Sequence, residues 1–486
     1  ARGARQERLA TSRGLWRDIK GRALGWFHMP RSEPARGMRD FLPEDVRRRE
    51  YVIGIIKGVY ERYGFEPLET PAVENLETLL GKYGDEGNKL IFKILKRGEH
   101  EATGQADLAL RYDLTVPLAR VVAQHQAKLP RLFKRYQIQP VWRADRPARG
   151  RFREFFQCDV DALGSTSPVV EAELCAAVAD AMTALGFSDF QIRINHRRLL
   201  TSMLRSRGVP DDLHESTLIA LDKLDKVGRD GVMAELEQRG LSQHAREAMD
   251  GFLAFSRGAM LGATAQNSRK MLAQAQQYLE RDSMADATDS GARNNLDQIL
   301  ELSERTAAAP HMAYDPFLAR GLSYYTGAIM EVNVADLAGS LGGGGRYDNL
   351  VGMFSGQEIP ACGFSLGLER ILVVMSERGM FPSTLTSAPA DVLVAMFSAS
   401  AAADAIRVAD QLRASGLRVF VYPDADKIGK QIKYADAQHI PYVAIVGDEE
   451  IKAGTVTVKD LAAQTQQTYP QSAAGAAIAE ALTRRG

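Results

Sequence analysis

The sequence has 486 residues, of which 45% are apolar and 25% charged; this composition is that of a globular protein and excludes a collagen-like or largely disordered chain. Lys and Arg together number 61, as do Asp and Glu, which excludes a wholly basic surface but allows local basic patches. No apolar run approaches the roughly 18 residues of a membrane span, so we expect no membrane association. The 3 cysteines are far apart and form no CxxC pair, which disfavours a disulfide framework or zinc site and fits a reducing compartment.

An arginine-rich N-terminal extension covers residues 1–35. Its first 28 positions carry six Arg and one Lys against one Glu and one Asp, and they lack the apolar core of a secretory signal. A transit peptide and an added leader both fit this composition. We expect the extension to lie outside the folded part and to need no fixed structure.

Residues 36–200 are predicted to form the first part of an α+β domain built on an antiparallel sheet. Apolar residues recur at helical spacing between Glu44 and Gly64, which predicts an amphipathic helix. The next stretch, GFEPLETPAVEN, is extended, and its prolines lack the N–H that a central strand needs, which predicts an edge or an interface. Three strand-like runs follow, near 108 to 116, 135 to 144 and 152 to 164.

The rest of the chain divides into three predicted units. Residues 201–306 are rich in Ala, Leu, Gln and charged side chains, which predicts a helical insertion. Strand patterns return in residues 307–385, the second part of the same domain, and change into a helix near its end. In residues 391–486 short apolar strands alternate with helical patterns, which is typical of a compact α/β domain with a largely parallel sheet.

The most basic stretch of the chain is residues 131–153, where eight Lys or Arg accompany one acidic residue, Asp145. Two strand-like runs flank its loop ADRPARGR, in which Pro147 and Gly150 favour a turn. Arg143 would then lie at a strand end, where a guanidinium can hold a phosphate bidentately while the loop arginines meet a polyanion. A solvated basic face is the alternative interpretation.

The strand after this loop has one polar face. Because side chains alternate along a strand, Phe155, Gln157, Asp159 and Asp161 point one way. Two carboxylates and an amide are costly to bury without partners, so this face should meet a ligand, a partner or solvent. The same period aligns a second polar set, Arg111, Asp113 and Thr115.

Common nucleotide loops and histidine metal sites are not found in the sequence. The run Gly342 to Gly345 is followed by RYD and not by Lys with Ser or Thr, and no GxGxxG follows a strand pattern. A bound nucleotide would therefore not be held in the P-loop or Rossmann manner. No two of the eight histidines lie three or four residues apart, so no helix offers a two-histidine metal face.

From about Arg36 to its end the chain resembles the histidyl-tRNA synthetases, a family of class II aminoacyl-tRNA synthetases. GFEPLETPAVEN resembles motif 1, the dimer-interface element; VWRADRPARGRFREFFQCDVD resembles motif 2, and GFSLGLERIL resembles motif 3. LRYDLTVPLAR and LARGLSYYTG, with the downstream GGGGRYDNL, are similar to segments characteristic of the histidine enzymes. Residues 391–486 resemble the anticodon-binding domain of the family.

The resemblance implies a nucleotide group and an amino-acid group of site residues. The nucleotide group is Arg143, which contacts the ATP α-phosphate, Arg320 as a second catalytic cation, and Phe155 and Arg370, which sandwich adenine. The amino-acid group is Asp113, Thr115 and Gln157 for the α-amino group, Asp161 and Tyr325 for the imidazole, and Tyr324 and Tyr347 as pocket lining. Family members commonly have Asp where this chain has Ser323, which bears on the placement of Tyr325.

The leading hypothesis is therefore ATP-dependent attachment of L-histidine to its cognate tRNA through a histidyl-adenylate, with release of AMP and pyrophosphate. It implies ATP and Mg²⁺, the tRNA for histidine as partner, a homodimer and a cytoplasmic location.

The alternative is a non-catalytic, histidine-binding regulatory paralogue of histidine biosynthesis. Such paralogues lose catalytic residues and the anticodon domain, whereas Arg143, Arg320 and Arg370 are present here. Another class II synthetase is disfavoured by the Tyr-Tyr segment. The mechanism requires Arg143 and Arg320 to converge on one triphosphate.

Overall fold

The computed structural model describes residues 32–83, 87–221, 223–257, 264–280, 289–319, 324–382, 385 and 388–484. Of the predicted N-terminal extension, residues 1–31 lie outside these ranges. Within them, no helix combines the length and apolarity needed to cross a bilayer.

The strands are numbered in chain order: β1 (Glu66–Pro67), β2 (Val73–Asn75), β3 (Lys93–Leu95), β4 (Ala106–Leu110), β5 (Phe133–Trp142), β6 (Glu154–Leu163), β7 (Gln191–His196), β8 (Met312–Tyr314), β9 (Ala328–Asn333), β10 (Gly342–Arg346), β11 (Ala361–Gly367), β12 (Val392–Met396), β13 (Val419–Val421), β14 (Tyr442–Val446), β15 (Thr455–Asp460) and β16 (Thr465–Pro470).

The α-helices are numbered in the same way: α1 (Pro43–Arg62), α2 (Leu76–Leu79), α3 (Thr115–His125), α4 (Val169–Ala184), α5 (Arg197–Ser206), α6 (His214–Leu221), α7 (Leu224–Gln238), α8 (Gln243–Arg257), α9 (Ala265–Glu280), α10 (Ser290–Ser303), α11 (Gly352–Ser355), α12 (Leu368–Glu377), α13 (Ala402–Ala414), α14 (Ile428–Ala437), α15 (Asp448–Ala453) and α16 (Gln471–Thr483).

The α+β domain is built on a mainly antiparallel sheet in the order β1-β5-β6-β11-β10-β9-β7-β8. Its outer pairs, β1 with β5 and β7 with β8, are parallel, and the inner pairs are antiparallel. The predicted antiparallel α+β fold is thus confirmed. Pro67 lies in the edge strand β1, as its missing N–H requires.

The two faces of this sheet differ because the side chains of β6 alternate. Cys158, Val160 and Ala162 join a core with α1, α4 and α12 on one side. Helix α9, from the predicted helical insertion, packs at the sheet edge at β8, where the Ser268 hydroxyl donates to the Met312 carbonyl at 3.0 Å and accepts from the Tyr314 N–H at 2.9 Å. The opposite face of β6 is left for polar side chains.

The predicted strand near 108 to 116 is wrong in two respects. It ends at Leu110, and it belongs to a separate small sheet, β2-β4-β3. Residues from Thr115 onwards form α3, because an Asp113 carboxylate oxygen accepts from the Val116 N–H at 3.0 Å and thereby holds the first turn. Pro117 is tolerated there because the first turn has no acceptor for its missing N–H.

The C-terminal domain has the sheet order β13-β12-β14-β15-β16. The first three strands are parallel, as predicted, whereas β15 and β16 are antiparallel additions. The sequence prediction omits β16, because TQQTYP is polar and mostly exposed and shows no alternation of apolar residues. The alternating β and α elements confirm an α/β domain.

Candidate active site

The polar face of the main sheet lines a cavity of about 1390 Å³. The cavity is lined by ten of the eleven predicted site residues: Asp113, Thr115, Arg143, Phe155, Gln157, Asp161, Tyr324, Tyr325, Tyr347 and Arg370. The eleventh, Arg320, lies outside the described residues together with Ser323. The expected convergence of Arg143 and Arg320 therefore stays a prediction.

Glycines make room for the polar side chains on this face. A methyl group at Gly363 of β11 would lie 1.9 Å from Oδ1 of Asp161, and one at Gly345 of β10 would lie 2.9 Å from Cδ1 of Tyr325. The glycine run of β10 is therefore a strand that packs closely on its neighbours, in agreement with the absence of a phosphate-loop spacing. Larger residues at these positions would push Asp161 and Tyr325 out of place.

Asp161 is a buried carboxylate whose two oxygens meet different partners. The Tyr347 hydroxyl donates to its Oδ1 at 2.5 Å, and Nη2 of Arg135 lies 2.9 Å from its Oδ2. That ion pair lacks hydrogen-bond geometry, since Oδ2 accepts no hydrogen bond from the described residues. Burial raises the pKa of Asp161, and Arg135 opposes this rise.

The Asp113 carboxylate collects donors from two tyrosines. The hydroxyl of Tyr83 donates to Oδ1 at 3.1 Å, and that of Tyr324 donates to Oδ2 at 3.3 Å. Thr115 hydrogen-bonds Tyr324, so three predicted residues meet here. Burial raises the pKa of Asp113, and the Val116 N–H, Arg143 and both hydroxyls oppose the rise. A cationic amino group is the natural partner of such a carboxylate.

Arg143 follows β5 directly and is held on three sides. Its Nε donates to the Tyr112 carbonyl at 3.0 Å, and its Nη2 donates to Oε1 of Gln157 at 3.2 Å. The guanidinium carbon lies 4.5 Å from the Tyr112 ring centroid and 5.1 Å from that of Phe155. A guanidinium fixed in this way can meet a phosphate with little further ordering.

Arg370 lies in the first turn of α12 and lines the same cavity as Phe155. Its Nη1 donates to the Ser340 carbonyl. A methyl group at Gly150, which has a φ of +66°, would lie 3.1 Å from Cγ of Arg370. The turn-forming glycine of the basic loop thus also lets that loop approach Arg370.

Four residues of this region are not among the predicted site residues: Tyr83, Arg135, Asp159 and Glu369. Tyr83 donates to Asp113 and Arg135 pairs with Asp161. Asp159 and Glu369 line the cavity themselves. Burial raises the pKa of both lining carboxyls to about 7; Arg135 opposes the rise at Asp159, and the Phe156 N–H opposes it at Glu369. Alternation along β6 does place Asp159 on the polar face, but no local signal joins Arg135 of β5 to Asp161 of β6.

An antiparallel sheet that presents Arg143 and Phe155 at neighbouring strand ends, and leads into a helix bearing Arg370, is the catalytic domain of a class II aminoacyl-tRNA synthetase. The family model described as Histidyl-tRNA synthetase matches residues 37–371, and the model described as Anticodon binding domain matches residues 391–481. The chain belongs to the histidyl-tRNA synthetase family.

Curated relatives and solved structures support this assignment. The chain is 41% identical over 445 residues to a histidine–tRNA ligase of Christiangramia forsetii, covering 88% of this chain and 94% of the relative. It is 40% identical over 475 residues to a histidine–tRNA ligase of Gloeobacter violaceus, covering 92% and 98%. The crystal structure of histidyl-tRNA synthetase from Nostoc sp. PCC 7120 matches with a TM-score of 0.73 and 30% identity, covering 93% of this chain and 99% of that one.

Proposed function

We propose that the chain catalyses the ATP-dependent attachment of L-histidine to its cognate tRNA through a histidyl-adenylate, with release of AMP and pyrophosphate. The observation that carries the proposal is one cavity with two chemically distinct regions. Buried carboxylates and hydroxyls suit a cationic amino group and an imidazole, and an arginine with aromatic rings suits a nucleotide. The curated relatives above bear the name histidine–tRNA ligase.

The amino-acid end has acceptors and hydroxyls for each polar group of histidine. Asp113, with Thr115 and Gln157, would hold the α-amino group, and the Asp161 carboxylate would accept an imidazole N–H while Tyr325 serves the other ring nitrogen. Tyr324 and Tyr347 hold the two carboxylates from the sides. An amino acid without two ring nitrogens would leave these buried groups unpaired, so the site would reject it strongly and no editing would be needed.

At the nucleotide end the histidine carboxylate attacks the α-phosphorus of ATP as pyrophosphate leaves. Negative charge then builds up between the histidine carboxylate and the ATP phosphates. Cations already fixed at this position stabilise the transition state and lower the activation barrier. We assign this role to Arg143 and Arg320, and we assign the two sides of adenine to Phe155 and Arg370. The acyl group then passes to the 3′-hydroxyl of the terminal tRNA ribose.

Magnesium would enter this site with the nucleotide. The described residues contain no group of three or more His, Cys, Asp or Glu side chains that could hold a metal ion. Mg²⁺ usually binds through one or two carboxylates and substrate phosphates, and Glu331 lines the cavity as a carboxylate that fits this use. When bound, the ion would neutralise part of the phosphate charge.

The assembly that we propose is a cytoplasmic homodimer that binds tRNA. The small sheet β2-β4-β3 exposes apolar side chains, with Val73 38%, Leu108 37% and Leu95 54% accessible, and a second copy would cover this face. The three cysteines are unpaired and buried, which fits a reducing compartment. The C-terminal domain would contact the anticodon, with Lys427, Lys430 and Lys433 meeting phosphates.

Histidine-dependent exchange of pyrophosphate into ATP tests the proposed function. The unaltered chain should catalyse exchange with histidine and ATP, and the other nineteen amino acids should give none above background. Binding of histidine without exchange would instead indicate the regulatory paralogue. Exchange that depends on another amino acid would replace the substrate assignment.

A further inference from the structure

The carboxamide of Gln157 is held between two groups of opposite hydrogen-bonding character. Its Nε2 donates to Oδ1 of Asp159 at 3.3 Å and to Oγ of Ser365 at 2.7 Å. Its Oε1 accepts from Nη2 of Arg143 at 3.2 Å. All four side chains line the cavity, so the row reaches from the amino-acid end to the phosphate-binding arginine.

This environment permits one orientation of the amide. An arginine has only donors, and Oδ1 of Asp159 acts as an acceptor in this structure. If the amide of Gln157 turned over, its NH₂ would face the guanidinium of Arg143 and its oxygen would face the Asp159 carboxylate, so both contacts would be lost. The Ser365 hydroxyl can donate or accept, so the orientation of Gln157 is set by Arg143 at one end and by Asp159 at the other.

Asp159 is itself firmly placed. It is 2% exposed, and its neighbours in register are Gln137 on β5 and Ser365 on β11. The charged groups that act on it are Arg135 from β5, Asp161 from β6 and Asp113 from the segment before α3. A carboxyl with so little solvent contact would destabilise the fold unless neighbouring groups donate hydrogen bonds to it or carry an opposite charge.

We infer that Asp159 is a positioning residue of the amino-acid site, which acts through Gln157. By accepting from Nε2 it keeps Oε1 of Gln157 directed at Arg143 and available to the α-ammonium group of the substrate. The inference rests on the proposed function, because it explains how Gln157, which the proposed function assigns to the α-amino group, is held in place. It concerns hydrogen bonding and not the charge of Asp159.

Two substitutions separate hydrogen bonding from charge. Asp159→Ala removes the acceptor, and we expect the KM for histidine in pyrophosphate exchange to rise about tenfold or more, the usual effect of one lost hydrogen bond to a charged group, with kcat changed less than about threefold. Asp159→Asn keeps an oxygen acceptor without the charge, and we expect a KM within about threefold of the unaltered chain. The raised pKa of Asp159, about 7, supports this tolerance of a neutral group.

A double-mutant cycle with Gln157→Ala tests whether Asp159 acts through Gln157. In the Gln157→Ala background, Asp159→Ala should add no further rise in the KM for histidine. Asp180→Ala is the matched control, because Asp180 accepts one hydrogen bond from Tyr63 at 2.6 Å on the opposite side of the sheet. Its KM should be unchanged, and thermal unfolding of every variant checks that it is folded.

Three results would overturn the inference: an unchanged KM in Asp159→Ala, an Asp159→Asn variant as impaired as Asp159→Ala, or an undiminished effect of Asp159→Ala in the Gln157→Ala background. Each of them leaves the proposed function intact as long as the unaltered chain shows histidine-dependent exchange. Absence of that exchange would instead remove the proposed function.

Discussion

Arg135 supports Asp161 from beneath the cavity. Its Nη2 lies 2.9 Å from Oδ2 of Asp161, and the two side chains are 0% and 3% accessible. Asp161 lines the cavity, whereas Arg135 does not. Since the two residues are also paired in register across β5 and β6, the cation is held in place by the strand pairing and opposes the rise in pKa that burial gives the Asp161 carboxylate.

The first prediction follows from this pair. Arg135→Met should lower the free energy of unfolding by about 3 to 5 kcal/mol, because it leaves a buried carboxylate without its cation. The pKa of Asp161 should rise further, so the KM for histidine should increase more at pH 6 than at pH 8. Urea denaturation and pyrophosphate exchange at both pH values measure these effects.

A double variant provides the control for Arg135. Arg135→Met with Asp161→Asn removes both charges, so it should recover much of the lost stability but not the affinity for histidine. A single Arg135→Met variant as stable as the unaltered chain would contradict the role of the ion pair.

The second prediction concerns the glycine beneath Asp161. In Gly363→Ala the new methyl group would meet Oδ1 of Asp161 at 1.9 Å, so the carboxylate must move. We expect the KM for histidine to rise by about tenfold or more, the size of a lost hydrogen bond to a charged group, while the KM for ATP changes little. Pyrophosphate exchange with each substrate varied in turn measures both constants.

Gly58→Ala is the matched control. Gly58 lies within α1, and a methyl group there would meet nothing within 4 Å. Alanine is the better helix former by about 1 kcal/mol, so this variant should be slightly more stable and have unchanged kinetics. Equal loss of histidine affinity in both variants would show that the effect at Gly363 is not local.

Periodicity and local chemistry predicted most of the fold and the polar face of β6, whereas the tyrosines and Arg370 of the candidate site were implied by the family resemblance. The alternation along β6 placed Gln157 and Asp161 on one face, and the two strand-like runs flanking ADRPARGR placed Arg143 at a strand end. The same reasoning failed at Thr115, because the helix start depends on the Asp113 carboxylate accepting from the Val116 N–H. Arg135 looked like one more basic residue, since its pairing with Asp161 depends on the register between two strands, which composition does not determine.

The third prediction concerns Arg320, which lies outside the described residues. Arg320→Ala should leave histidine binding measurable by calorimetry but lower the rate of adenylate formation by about 10² or more, as expected for a lost transition-state donor. Arg305→Ala removes an exposed arginine and should leave exchange unchanged. Normal exchange in Arg320→Ala would defeat its assignment as the second catalytic cation.

The fourth prediction concerns the pH dependence of stability and rests on Glu369. Its Oε2 accepts from the Phe156 N–H at 2.9 Å, and the side chain is almost wholly buried. Burial raises the pKa of Glu369 from 4.5 to about 7, and the Phe156 N–H, Arg49 and Arg39 oppose the rise. The folded state therefore binds one proton more than the unfolded state between about pH 4.5 and 7.

Stability should consequently fall as the pH rises through this window, because deprotonation favours the unfolded state. Glu369→Gln keeps an acceptor for the Phe156 N–H and cannot ionise. Relative to the unaltered chain, this variant should gain about 3 kcal/mol in the free energy of unfolding between pH 4.5 and pH 8, on the basis of 1.36 kcal/mol per pKa unit.

Urea denaturation at pH values across the window measures the gain. The control Glu358→Gln, at an exposed position, should differ from the unaltered chain equally at every pH. A Glu369→Gln difference that is constant with pH would show that this carboxyl is ionised throughout, with Arg39 and Arg49 outweighing its burial.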